Sequence, residues 1–271
     1  MLRRPIEPAS PKRTLERAKC HFRDFEARIT AFSNEKKWSY ECERDLKGRN
    51  NRHKIKFDRA FFDEVPSIVF DLVNNMRAVF DQCGYAAAKA AGKSRLKQTA
   101  FPFGKDPDDL CNTIKRNVCA DVPTEIVTLF RSFKPYKRGN PPLWHLNALF
   151  NTKKHAILAP AALESVQIRI GGAIIFIGSP KWGAEDHEME LVGMGGADFS
   201  DLDDAGSFTF RVIFDHVETW IRGSEPLAIV GSMGGEVERI LLATEAKCRL
   251  LWPEAFESIH CSSQWSPIDA A

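Results

Sequence analysis

Two stretches of this chain gather residue types that could hold or cleave an anion. The first contains Asp71, Asn74, Asn75, Arg77, Asp81 and Gln82 at helical spacing, with Arg77 one turn before Asp81. The second contains Trp144, Asn147, Asn151, Lys154 and His155. Its last four fall at i, i+4, i+7 and i+8, on one helical stripe. A guanidinium offers a planar fork of donors to a carboxylate or phosphate. An imidazole can move protons near neutral pH. If the two stripes meet across a groove, an Arg–Asp pair and a Lys–Asn–His cluster could bind a phosphate or hold a scissile bond. The competing reading is a pair of solvated faces or a buried structural network.

The elements that must carry these residues follow from periodicity. The stretch from about Pro66 to Ala91 is the clearest helix. Ile68, Val69, Leu72, Val73, Met76, Val79, Phe80 and Cys83 form its apolar face, Pro66 suits its first turn and Gly92 ends it. The second stripe lies on a helix of about 142–156, whose apolar side is Leu143, Leu146, Leu149 and Phe150. An earlier helix runs from about Thr14 to Ser33. Leu15, Ala18, Phe22, Phe25, Ile29 and Phe32 are spaced in steps of three and four. Between these helices, Trp38, Tyr40 and Cys42 alternate with polar residues, as do His53, Ile55 and Phe57. The run from Lys47 to Asn51 gives turn chemistry for a hairpin spanning 36–58. Shorter helices are predicted near 106–116 and 123–133.

After Pro160 the period changes to two. Val166, Ile168 and Ile170 alternate, Ala173 to Ile177 is a continuous apolar run, and Met189 with Leu191 and Phe208 with Phe210 and Val212 alternate again. This reads as an antiparallel β unit of four or more strands. A last helix begins near Pro226. Leu227, Val230, Gly234, Val237, Leu241 and Thr244 give it a stripe that could pack along the first helix. The fold class is therefore α+β: a helical bundle with a β-hairpin after the first helix and an antiparallel β unit inserted before the C-terminal helix. The expected divisions are a disordered lead (1–11), the bundle (12–160), the β unit (161–224), the returning helix (225–250) and a tail (251–271).

Four short segments carry a resemblance. They are Asp71-Leu72-Val73-Asn74-Asn75-Met76-Arg77-Ala78-Val79-Phe80-Asp81-Gln82, Phe101-Pro102-Phe103, Lys134-Pro135-Tyr136, and the run from Pro142-Leu143-Trp144 to Asn151-Thr152-Lys153-Lys154-His155. In order and spacing over about 12–160, the chain resembles an uncharacterised family of bacterial and phage proteins. That family carries a D-x-x-x-N-L-R-S-A-L-D-H pattern and an N-x-x-D-K-H pattern. Its R-x-x-x-D-H core is in turn similar to the R-x(4–6)-H motif of HEPN ribonucleases, helical dimers that act on RNA phosphodiesters. The resemblance implies an Arg77 that steadies phosphorane charge and a histidine that transfers protons. Here the histidine position is Gln82, and an amide cannot transfer protons. Catalysis would need His155 to substitute.

Other signals carry less. Gly193-x-Gly195-Gly196 and Gly231-x-x-Gly234-Gly235 lack phosphate-loop spacing and read as turns or, in the second case, close helix packing. Asp186-His187-Glu188 would point to alternate faces of a strand. The acidic run Asp198, Asp201, Asp203 and Asp204 lacks the glycine and glutamate of an EF-hand loop. No metal site and no cofactor are expected.

Composition sets the outer bounds. The 271 residues are 44% hydrophobic with net charge +2, which is globular rather than disordered or strongly basic. The charge is unevenly spread. Residues 1–60 hold 17 Lys+Arg against 9 Asp+Glu, and residues 181–220 hold 2 against 10. Two such segments could dock on each other, or the basic one could face a polyanion. Nucleic-acid contact through that basic segment is the weaker reading, because its Phe22 belongs to a core stripe. The seven cysteines include no C-x-x-C pair, which suits reduced thiols in a cytoplasm. No apolar run approaches the length of a membrane span. The functional expectation is a non-catalytic binding or interaction module of unidentified partner with a polar inter-helix groove, able to dimerise along a bundle edge. A HEPN-like, metal-independent ribonuclease with a degenerate motif is the alternative.

Overall fold

A computed structural model describes residues 9–35, 38–43, 52–151, 162–170, 173–177, 181–183, 188–191, 207–213 and 225–257. The predicted glycine turn at 193–196, the acidic run at 198–204, and Lys154 and His155 lie outside the described residues. The protein is α+β, mostly helical, with the hairpin after the first helix and further antiparallel strands before the last long one.

The elements in chain order are α1 (Ala9–Asn34), β1 (Trp38–Glu43), β2 (Arg52–Phe57), α2 (Arg59–Ala90), α3 (Pro107–Lys115), α4 (Thr124–Ser132) and α5 (Pro141–Asn151). They continue with β3 (Ala162–Ile170), β4 (Ala173–Ile177), β5 (Lys181–Gly183), β6 (Glu188–Leu191), β7 (Ser207–Ile213), α6 (Pro226–Leu251) and the short α7 (Glu254–Glu257). By packing, the chain falls into two units. One comprises Leu15–Arg77 and Pro142–Glu236, the other Met1–Thr14, Ala78–Pro141 and Val237–Ala271. Both α2 and α6 contribute to each.

Two boundaries differ from the sequence expectation. Helix α1 starts at Ala9, so Pro11, assigned above to the lead, sits in its first turn, where its missing N–H costs nothing. Helix α2 starts seven residues before Pro66 and runs through it. Pro66 normally disfavours that path, but Phe61, Phe62 and Val65 are buried and extend the apolar stripe backwards. The Asp58 carboxylate also accepts the Ala60 N–H at 3.0 Å and caps the new start. Tertiary burial outweighs the local signal. The far end agrees with expectation: Gly92 has φ +81° and closes the helix as an αL cap.

In the unit containing the hairpin, β1 and β2 pair antiparallel in the register Trp38↔Phe57, Tyr40↔Ile55 and Cys42↔His53. Ile55 and Phe57 are buried, as alternation requires. Phe32 of α1 stacks on Phe61 at 4.1 Å and lies 5.8 Å from Phe57 and 5.9 Å from Phe62. That aromatic cluster ties the hairpin to both helices. A Cβ on Gly231 of α6 would meet Phe22 of α1 at 3.7 Å, and one on Gly234 would meet Met76 of α2 at 3.3 Å. Gly234 of α6 therefore sits tightly against α2, and Gly231 makes ordinary contact with α1.

The β segment does not form one unit. Strands β3, β4 and β7 make a three-stranded sheet in the order β4-β3-β7, whereas β6 and β5 join the hairpin as β1-β2-β6-β5. Charge explains the recruitment of β6. Its Glu188 meets Lys54 at 3.2 Å and Lys56 at 3.4 Å on β2, which also reach Glu43 and Glu41 on β1. On the opposite face Met189 pairs with Ile55, both fully buried. Part of the basic early segment thus docks on part of the acidic late one.

In the other unit, Phe101 is the centre. Its ring lies 4.6 Å from Phe130 of α4, 4.8 Å from Phe80 of α2 and 5.1 Å from Phe103. Leu110, Ile126 and Phe130 complete the buried set.

Candidate functional site

The motif residues are best followed from α2 outward. Asp71 is exposed, and Asn75 donates its amide to the Asp71 carbonyl at 2.7 Å, a bond within its own helix. Asn74 is half-buried. The guanidinium of half-buried Arg77 lies over the ring of Phe150 on α5 at 5.6 Å. That contact joins α2 to α5 within one unit, through the side of α5 that the sequence reading counted as apolar. On α5, Trp144 and Asn147 are half-buried and Asn151 is exposed. The indole Nε1 of Trp144 is buried and finds no acceptor among the described residues. Buried donors are nearly always satisfied, so this one marks a place where an acceptor fits.

Asp81 and Gln82 belong to the other unit. The Asp81 carboxylate accepts the Phe101 N–H at 3.0 Å. It therefore holds the Phe101-Pro102-Phe103 segment against α2. Gly104, next in sequence, bridges to Tyr136 and donates its N–H to the Pro135 carbonyl at 3.1 Å. Three of the four resemblance segments are thus linked: α2 to Phe-Pro-Phe, and Phe-Pro-Phe-Gly to Lys-Pro-Tyr. Gln82 carries a buried Oε1 with no donor among the described residues.

Electrostatics narrow what these residues can do. Burial lowers the His145 pKa to about 4, so this imidazole, next to Trp144 on α5, is neutral at physiological pH. It is no proton donor there. Burial also pushes Cys248 up to about 12 and Cys83 well above the thiol range. Both line a small cavity of about 30 Å³ with Lys12 and Glu245. Burial pushes the Glu245 carboxyl up, but the Lys12 ammonium and the Arg249 guanidinium outweigh it and hold it below its ordinary range. Protonated thiols are poor nucleophiles and poor metal ligands. No group of three or more metal-ligating side chains occurs among the described residues. None of the described helices is long and apolar enough to cross a membrane.

Sequence reading missed two features. One is the Lys12–Glu245 ion pair, 2.8 Å between atoms far apart in the chain. The other is a wider cleft of about 330 Å³ lined by α3, α4 and the loop after α4. The signal for the second was present, since Arg131, Lys134, Lys137 and Arg138 fall within eight positions with no acid among them.

Comparisons with family models, with curated proteins and with solved structures return no match for this chain.

Proposed function

We propose that this protein is a non-catalytic binding module whose site is the polar edge where α2 and α5 run together. The residues that form it are Asn74, Arg77, Trp144 and Asn147. The buried Trp144 N–H, with no acceptor among the described residues, carries the reading. On the same two helices the Arg77 guanidinium only donates, and the Asn74 and Asn147 amides can donate as well as accept. The favoured partner therefore presents several acceptors and negative charge, as a carboxylate or phosphate group does.

The chemistry on the same helices argues for binding over turnover. A HEPN-like reaction needs a group that gives and takes a proton. Gln82 cannot do so, His145 starts neutral and its lowered pKa makes it a weak base, and Arg77 lies over Phe150. The ribonuclease alternative depends on His155.

Two measurements test the reading together. A panel of carboxylate, phosphate and sulfate compounds is screened for an increase in Tm on the wild type, then on Trp144→Phe and Asn147→Ala. The expected result is at least one anion that stabilises the wild type and is lost in both variants. RNA is also incubated with wild type and Arg77→Ala in metal-free buffer. Cleavage by wild type that disappears in Arg77→Ala would replace the binding reading with the enzymatic one.

A further inference from the structure

The 330 Å³ cleft belongs to the unit that holds Phe101, whereas Arg77 and Trp144 belong to the other. It is lined by Pro107 and Leu110 of α3, Thr128, Arg131 and Ser132 of α4, and Lys134 and Tyr136 of the following loop. Its size falls at the lower end of small-molecule pockets. Arg131 and Lys134 have no ion pair among the described residues, and the Tyr136 hydroxyl has no hydrogen bond there. Three acids stand at the start of α3: Asp106 accepts the Asp109 N–H at 2.8 Å, Asp109 accepts the Lys105 N–H at 2.8 Å, and Asp108 is exposed; none of them is among the residues lining the cleft.

The loop that presents the cations is fixed and strained. Lys134 has φ +54° and Arg138 φ +65°, left-handed conformations that side chains with a Cβ rarely adopt. The Tyr136 N–H donates to the Lys134 carbonyl at 2.7 Å, and the Gly139 N–H to the Tyr136 carbonyl at 2.9 Å. Asn140 donates its side-chain amide to the Phe133 carbonyl at 3.2 Å. A Cβ on Gly139 would stand 2.5 Å from both the Lys134 carbonyl oxygen and the Tyr136 ring, so only glycine allows this close approach. Strain of this kind persists where surrounding structure over-determines it and is concentrated at binding sites. Glycine at position 134 would relieve it, yet the chain places a cation there.

We propose that this cleft binds a nucleoside monophosphate. Arg131 and Lys134 take the phosphate, the guanidinium as a two-pronged donor and the ammonium as a point charge. Tyr136 and Pro107 supply the aromatic and apolar wall for the nucleoside.

The test is calorimetric titration of the full chain with adenosine monophosphate, adenosine and inorganic phosphate. Adenosine monophosphate is expected to bind with Kd below about 1 mM, and the other two at least about tenfold more weakly. Lys134→Gly separates binding from folding. Glycine accepts the left-handed backbone without penalty, so Tm is expected to stay level or rise while affinity falls about tenfold or more. Arg131→Gln is expected to weaken binding similarly. Absence of saturable binding by the wild type overturns the proposal. So does affinity unchanged in Lys134→Gly, or phosphate binding as tightly as the nucleotide.

Discussion

Single residues show how a chemically suggestive type can have structural work. Asp81 stands where a catalytic motif would place an acid, yet its carboxylate accepts the Phe101 N–H. Removing one partner of a part-buried hydrogen bond costs about 1–3 kcal/mol. Asp81→Ala is therefore expected to lower the urea-unfolding free energy by that order, whereas Asp81→Asn keeps an acceptor oxygen and loses less. Equal losses in the two variants would contradict the role. His145 offers a pH signature. Its folded pKa is lowered to about 4 by burial, while the unfolded chain titrates near the ordinary histidine value of about 6.5. Between these values the unfolded state binds the extra proton. Stability is fully present above about pH 6.5 and falls as pH drops toward 4. A Tm profile across this window should be flatter in His145→Gln than in wild type.

At the scale of elements, alternation and charge together decide strand partners. The sequence made β1 and β2 legible as a hairpin because Tyr40, Cys42, His53 and Ile55 alternate across a turn-rich run. The recruitment of β6 was not legible as a pairing, although the opposing charge blocks were visible. Period two identifies a strand and its buried face, but not which of several edges it joins. Here Lys54 and Lys56 on β2 fit Glu188 on β6, and their ammonium pKa values are raised, chiefly by hydrogen bonds to Glu43 and Glu41 and then to Glu188. Replacing Lys54 by Glu places like charges against both Glu43 and Glu188 and is expected to lower Tm. Adding Glu188→Lys should recover part of the loss, because it restores an opposite-charge diagonal pair between the same two strands. A double variant no more stable than the single one would show that Met189 and Ile55 alone set this pairing. The start of α2 was not legible for a related reason. Pro66 is a local signal, and the burial of Phe61 and Phe62 is a tertiary one.

For the whole molecule, the decisive information is long-range. Helix periodicity located α1, α2, α5 and α6. It could not show that Asp81 and Tyr136 are joined through the Phe-Pro-Phe-Gly segment. That link depends on a carboxylate, a buried ring and a backbone bridge that have no period. Nor could it show that the chain's early and late parts meet. The unit holding Phe101 draws on residues before Thr14, on 78–141 and on residues after Val237. Lys12 and Glu245 pair across 233 positions, and Leu241 and Cys248 line the same cavity as Cys83. Such closure is slow to form and depends on the last helix being present. A chain ending at Glu236 lacks that part of α6 but keeps β1, β2, β6 and the Phe32 cluster. Native-state hydrogen exchange is expected to lose protection across 78–141 in the shortened chain, while the β1–β2 amides remain protected. The same protection in both chains would mean that the Phe101 cluster and the Asp81 bond hold this unit without α6. Loss in the hairpin as well would mean that the sheet, too, depends on the closing helix, and that the two units fold as one step.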